Sequence, residues 1–199
     1  MLSFLLPLLL STAQAIYPST DLADTEWGVL SNGKGKAWVG CSSKTEITWC
    51  RSIGVINASQ DKLSKILLDF ESYPQVFKRV YKTKILEPDV VHLLLDMPFP
   101  FKQRDYIAKF VETREGKDVL FTFNAVEHSE AAAPSRESVR LPRAAGRWRL
   151  EPMSPKQTRV TYTWNGELLG KIPLFGLAEA WRTQGTEVME WLEAAAATK

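Results

Sequence analysis

Histidine and cysteine are scarce in this chain: two of each among 199 residues, His92 and His128, Cys41 and Cys50. That supply, widely spaced, does not make a zinc site of the usual four close ligands. Phosphate-cradling glycine loops and a nucleophile elbow are also missing, so no cofactor or metal is expected. An excess charge of one sign is lacking too. The 25 basic and 23 acidic side chains leave a net charge of +2 and are spread along the chain, which excludes a nucleic-acid footprint. Long apolar runs are confined to Leu2–Leu10, less than half of the about twenty residues a membrane span needs.

What is present is a globular composition, 45% hydrophobic and 11% aromatic. The apolar N-terminal run ends in Ala13-Gln14-Ala15, an A-x-A pattern that reads as a secretory signal over residues 1–15, although no basic residue precedes it. Residues 16–199 then form one domain, periplasmic or secreted and expected to be a monomer. In an exported protein two cysteines invite a disulfide. A hairpin turning near Ser42 to Thr45, however, sets Cys41 opposite about Glu46 and Cys50 opposite about Ala37, and so leaves the bridge open.

The dominant pattern is at the C-terminus. Leu174, Leu177, Ala178, Trp181, Gly185, Val188, Trp191 and Leu192 recur at steps of three and four, one apolar stripe on a long helix behind Pro173. Before it the chain reads mostly as strands. A hairpin, Lys36–Cys41 with Glu46–Ile56, is followed by a helix capped by Ser59, a break at Tyr73-Pro74 and a short helix over Gln75–Tyr81. Strands follow at Thr83–Leu86, Val90–Met97, Asp105–Thr113, Val119–Glu127, Arg147–Glu151 and Arg159–Leu168, with a long exposed loop from Ser129 to Ala145. Phe121 and Phe123, Trp148 and Leu150, and Tyr162 and Trp164 alternate with polar neighbours, so each strand has one ring-rich face and one wet face. The fold class is α+β: a curved antiparallel sheet around one long helix. In the early strand Ile47, Trp49, Arg51, Ile53 and Val55 share a parity, taken as inward.

Four patches carry a resemblance: Trp49-Cys50-Arg51; Leu68-Asp69-Phe70-Glu71-Ser72-Tyr73-Pro74; Met97-Pro98-Phe99-Pro100 with Arg104-Asp105-Tyr106; and Gly170-Lys171-Ile172-Pro173. In this order they resemble the START (steroidogenic acute regulatory-related lipid transfer) family, within the birch-pollen-allergen-like and polyketide cyclase superfamily. The resemblance implies a helix-grip fold whose tunnel holds one lipid or sterol-like molecule. The inward rings Trp49, Tyr106, Phe110, Phe121, Phe123, Trp148, Tyr162, Trp164 and Trp181 are candidates to line it, unless they close-pack into a solid core. Arg51 either meets a polar ligand head or pairs structurally, with Asp69 or Asp105. Phe99, in the Met97–Phe101 loop, is a candidate gate that touches a membrane transiently, unless it tucks into the core. Two function classes remain: a carrier of a hydrophobic ligand, which is not an enzyme, or a cyclase/aromatase-like enzyme using the same cavity. His92 and His128 share parity with outward residues, and a cavity tyrosine is the remaining acid.

Overall fold

The computed structural model describes residues 17, 22, 25–33, 37–42, 47–131, 133, 136, 138–170 and 173–198. The signal-peptide segment 1–15 lies outside them. One ten-stranded sheet runs in the order β1-β2-β3-β10-β9-β7-β6-β5-β4. Its strands are β1 Gly28–Asn32, β2 Trp38–Ser42, β3 Trp49–Ile56, β4 Val80–Glu87, β5 Val90–Leu95, β6 Gln103–Glu115, β7 Asp118–Ala125, β8 Ser138–Arg140, β9 Ala145–Ser154 and β10 Gln157–Asn165. All neighbours on that path are antiparallel, and β8 pairs parallel with β6 off the path. The helices are α1 Gln60–Leu68, α2 Tyr73–Val76 and α3 Leu177–Thr198, with 3₁₀ turns before α2 and α3.

Local chemistry sets the ends of α1. The Ser59 hydroxyl accepts from the Lys62 amide, filling one orphan donor of the first turn. Leu63, Ile66 and Leu67 form its buried stripe. Asp69 then caps the following 3₁₀ turn through Ser72 N–H. Helix α3 lies across the concave face on Gly185, Met189, Leu192 and Ala196, with Trp181, Val188, Trp191 and Ala195 half-buried around them. At Gly185 helix and sheet approach so closely that a Cβ would stand 2.9 Å from Val39 Cγ1 and 3.0 Å from Trp164 Cη2. The Ser52 hydroxyl donates to the Gly185 carbonyl at 2.8 Å, tying β3 to the helix at that point.

The strand alternation of β6, β7, β9 and β10 is as the sequence implies: Ala108 and Phe110, Phe121 and Phe123, Trp148 and Leu150, and Val160, Tyr162 and Trp164 join one core. The parity of β3 is reversed. Its inward residues are Cys50, Ser52, Gly54 and Ile56, which touch the helix or the core. Trp49, Arg51, Ile53 and Val55 face the other side. Apolar bulk misled the assignment, because small residues stand where the helix comes close. Trp49 is buried outside, in a separate cluster with Tyr17, Leu22, Trp27 and Ala145.

Further expectations change. The short helix expected over Gln75–Tyr81 is Tyr73–Val76, because Pro74 opens a helix rather than breaking one, and Val80 already begins β4. Strand β3 begins later than expected, so the β2–β3 connection is longer, and the register sets Cys41 directly opposite Cys50. The two form a disulfide with a Cα–Cα distance of 4.0 Å. The stretch from Ser129 to Ala145 is not simply an exposed loop. It supplies β8 and buries Leu141 and Ala145. Arg140 of β8 and His92 of β5 both reach the Asp105 carboxylate, at 2.6 and 2.7 Å. His92 thus faces outward as read, yet is buried, in a polar cluster with Asp105 and the Arg140 side chain.

Candidate ligand-binding site

Between the concave sheet and α3 lies a cavity of about 150 Å³. Its walls come from most of the molecule: Tyr73 and Phe77 at α2, Leu93 and Leu95 on β5, and Tyr106 and Phe110 on β6. Phe123, Trp148, Tyr162 and Trp164 follow on β7, β9 and β10, with Gln184, Val188 and Trp191 on α3. The rings form a nearly continuous lattice. Trp148 stacks on Tyr162 with centroids 4.1 Å apart, Tyr162 on Trp164 at 5.0 Å, and Phe110 packs on Phe123 at 5.4 Å. Phe70, Tyr73 and Phe77 continue the chain of ring contacts from Phe110 to Trp148. Gly146 permits this, since a Cβ there would meet the Phe123 ring at 2.6 Å.

Charged side chains on the wall, Arg79, Asp96 and Glu167, are only half-buried or exposed and mark the mouth. Arg79 is held by Glu187 of α3 through two hydrogen bonds of 2.7 and 3.1 Å. Glu167 is held by Arg143. The loop after β10 is fixed from below by Arg104, which is 2% exposed. Its guanidinium donates to the carbonyls of Leu168 at 2.6 Å, Leu169 at 2.8 Å, and Lys102. Burial lowers its pKa from the ordinary value.

Of the residues singled out from sequence, Tyr106, Phe110, Phe123, Trp148, Tyr162 and Trp164 line the cavity. Phe121 is in the core but does not reach it. Trp181 lies beside it instead, donating its indole N–H to the Gly166 carbonyl at 2.9 Å. Trp49 and Arg51 are on the opposite face of the sheet. Arg51 takes a structural role there. Its guanidinium stacks 4.4 Å over the Trp27 ring and its Nε donates to Thr163. Phe99 stands outside, 97% exposed, and the loop places Met97 rather than Phe99 in the wall. The reading missed Tyr73, Phe77, Leu93, Leu95 and Trp191. Trp191 was legible from the helical stripe that already contained it.

Burial raises the hydroxyl pKa of Tyr73, Tyr106 and Tyr162 above the ordinary 10.0, and in Tyr73 and Tyr162 the neighbouring tyrosine hydroxyl adds to it. The unfolded chain loses these protons near pH 10 while the folded chain keeps them. Stability is therefore full below pH 10 and falls as pH rises beyond it. An absorbance titration at 295 nm checks this: three tyrosines are expected to ionise only together with unfolding.

Neither a protein-family model nor a curated protein matches the sequence. Solved structures do match the fold. Human STARD10 superposes with a TM-score of 0.73 at 17% identity, over 86% of this chain and 73% of that one. A STAR-related lipid transfer protein fragment from Xanthomonas axonopodis gives 0.73 at 21% identity, over 86% and 99%. The Zhui aromatase/cyclase of Streptomyces sp. R1128 gives 0.54 at 15% identity, over 75% and 93%. The chain has the helix-grip fold of the START lipid-transfer domains.

Proposed function

We propose that this protein binds one hydrophobic molecule between sheet and helix and carries it between membranes. The observation that carries the reading is the cavity itself: walled by rings and aliphatic side chains, with charge only at its mouth. Apolar pockets with few polar groups are the usual form of small-molecule sites. At about 150 Å³ the hole takes a single ring or a short stretch of chain. It is smaller than the roughly 300 Å³ at the low end of ligand pockets. A whole lipid therefore enters only if the mouth widens, and the natural moving parts are the Met97–Phe101 loop and the loop after β10. Likeness to the named lipid-transfer proteins supports the same reading.

Phe99 and Phe175 support a membrane step. They are 97% and 92% exposed. Phe99 follows the wall residue Met97 by two positions, and Phe175 follows the wall residue Leu168 by seven. Burying each ring in a bilayer interface contributes about 1.5–3 kcal/mol, enough for a brief touch but not an anchor. Lys102 adds weak attraction to anionic head groups. Replacing both rings, Phe99→Ser with Phe175→Ser, is expected to lower affinity for anionic vesicles about a hundredfold and to slow lipid transfer in proportion. The melting temperature stays unchanged, since neither ring packs on the core. Unaltered transfer by the double variant would sink the membrane step.

Export through residues 1–15 belongs to the same proposal. The Cys41–Cys50 disulfide supports it, since such bridges persist in oxidising compartments. The cyclase-like alternative has less support from the site. Neither histidine lines the cavity: His92 is engaged by Asp105, and His128 by Glu87. The titratable groups on the buried part of the wall are tyrosines with raised pKa values.

A further inference from the structure

The cavity wall contains donors that the protein leaves unused. The Trp164 indole N–H is buried and has no acceptor. The hydroxyls of Tyr106 and Tyr162 make no hydrogen bond among the described residues, although both rings lie in the enclosed wall. Equivalent groups close by are satisfied. The Tyr73 hydroxyl donates to the Leu67 carbonyl at 2.7 Å, and the Trp181 N–H to Gly166. Buried polar groups without partners are rare because desolvating them is costly, so the Trp164 N–H, beside two tyrosine hydroxyls that bond nothing, calls for an explanation. The Tyr162 and Trp164 rings stack at 5.0 Å, and Tyr106 lines the same cavity.

We propose, on the reading that the cavity holds one hydrophobic molecule, that this molecule is neutral and carries an acceptor oxygen, as in a ketone, an ester or a ring alcohol. Tyr106, Tyr162 and Trp164 donate to that oxygen, while the rest of the ligand lies against the rings. The charge on the wall argues against an acid. Arg79 is the cation there, already taken by Glu187, and it is outnumbered by the Asp96 and Glu167 carboxylates. A carboxylate ligand would be desolvated with no free positive partner. The raised tyrosine pKa values keep both hydroxyls protonated at neutral pH, as donors.

Ring-sized probes suit the cavity without requiring it to open. Acetophenone, ethylbenzene and benzoate, titrated into the full chain at pH 7.5, separate the possibilities. Acetophenone is expected to bind more tightly than the more hydrophobic ethylbenzene, and benzoate to bind worst. Tyr162→Phe and Tyr106→Phe should each lower the acetophenone-to-ethylbenzene affinity ratio about tenfold, the worth of one neutral hydrogen bond. Both variants should melt no lower than wild type, because the hydroxyls bond nothing in the protein. In wild type the Trp164 indole proton, assigned by its loss in Trp164→Phe, shifts downfield with acetophenone and not with ethylbenzene. The proposal is overturned if the ratio is unchanged in both variants, if benzoate binds tightest, or if the indole proton responds alike to both neutral probes. Binding of ethylbenzene with no acetophenone preference overturns it alone. Binding of neither neutral probe overturns the cavity reading beneath it as well.

Discussion

Arg104→Met lowers stability by about 3–5 kcal/mol and loosens the cavity mouth. Arg104 is the largest buried polar side chain, and it donates to the carbonyls of Lys102, Leu168 and Leu169. A methionine fills much of the space and donates nothing, so these carbonyls lose a charged partner in a buried place. Lysine is a poor replacement as well, since one ammonium does not match the fork that reaches two loops together. For a chain of this length the loss amounts to a fall of about 10 °C in melting temperature. Because Leu168 and the neighbouring Glu167 are wall residues, the freed loop also speeds exchange of any bound molecule. Thermal melts and the release rate of a preloaded fluorescent lipid check both effects. A melting point within 2 °C of wild type contradicts the role given to Arg104.

Gly185→Val has the second largest expected effect. The position where a Cβ would go is already 2.9 and 3.0 Å from the two methyls of Val39 and 3.0 Å from Trp164. Valine adds two more methyl groups there and pushes α3 off the sheet, against the tie from Ser52 to the Gly185 carbonyl. Overpacking of this kind costs about 1–3 kcal/mol, and the cost is set against a smaller gain in helix propensity. Alanine carries a larger propensity gain with less bulk, so Gly185→Ala sits between wild type and valine. Gln184 and Val188, on either side, line the cavity, so the valine variant also alters ligand affinity. Denaturant unfolding gives the order; a valine variant as stable as wild type would show that helix and sheet are not in close contact there.

Much of this was legible in the sequence where a single pattern had a single cause. Rings on alternate positions of β7, β9 and β10 face the core because their polar neighbours find partners on the other face, as Arg149 does with Asp118. The helical stripe of α3 was read for the same reason. The failures come where two layers compete for one strand. On β3 the N-terminal segment covers Trp49 and Trp27 stacks on Arg51, so the outward face is as apolar as the inward one. The inward face carries Cys50, Ser52 and Gly54 because a helix backbone lies on it. Hydrophobicity gave the wrong sign, and small size was the signal to follow. The polar cluster of Asp105, His92 and Arg140 was hidden for another reason: Arg140 comes from β8, a strand that reads as loop. The disulfide was missed by register, since pairing across β2 and β3 depends on the length of a turn that composition does not set.

The reading rests on the cavity being a place for a ligand rather than a packing defect. Native mass spectrometry of the protein, purified in mild buffer from the cells that make it, tests this most directly, with Val188→Trp as the comparison because Val188 lines the hole. One small, neutral, apolar mass per chain is expected on the wild-type protein, lost on denaturation and much reduced when tryptophan fills the space. A wild-type protein that arrives bare and takes up no lipid from vesicles, or an adduct that persists unchanged in the filled variant, contradicts the account.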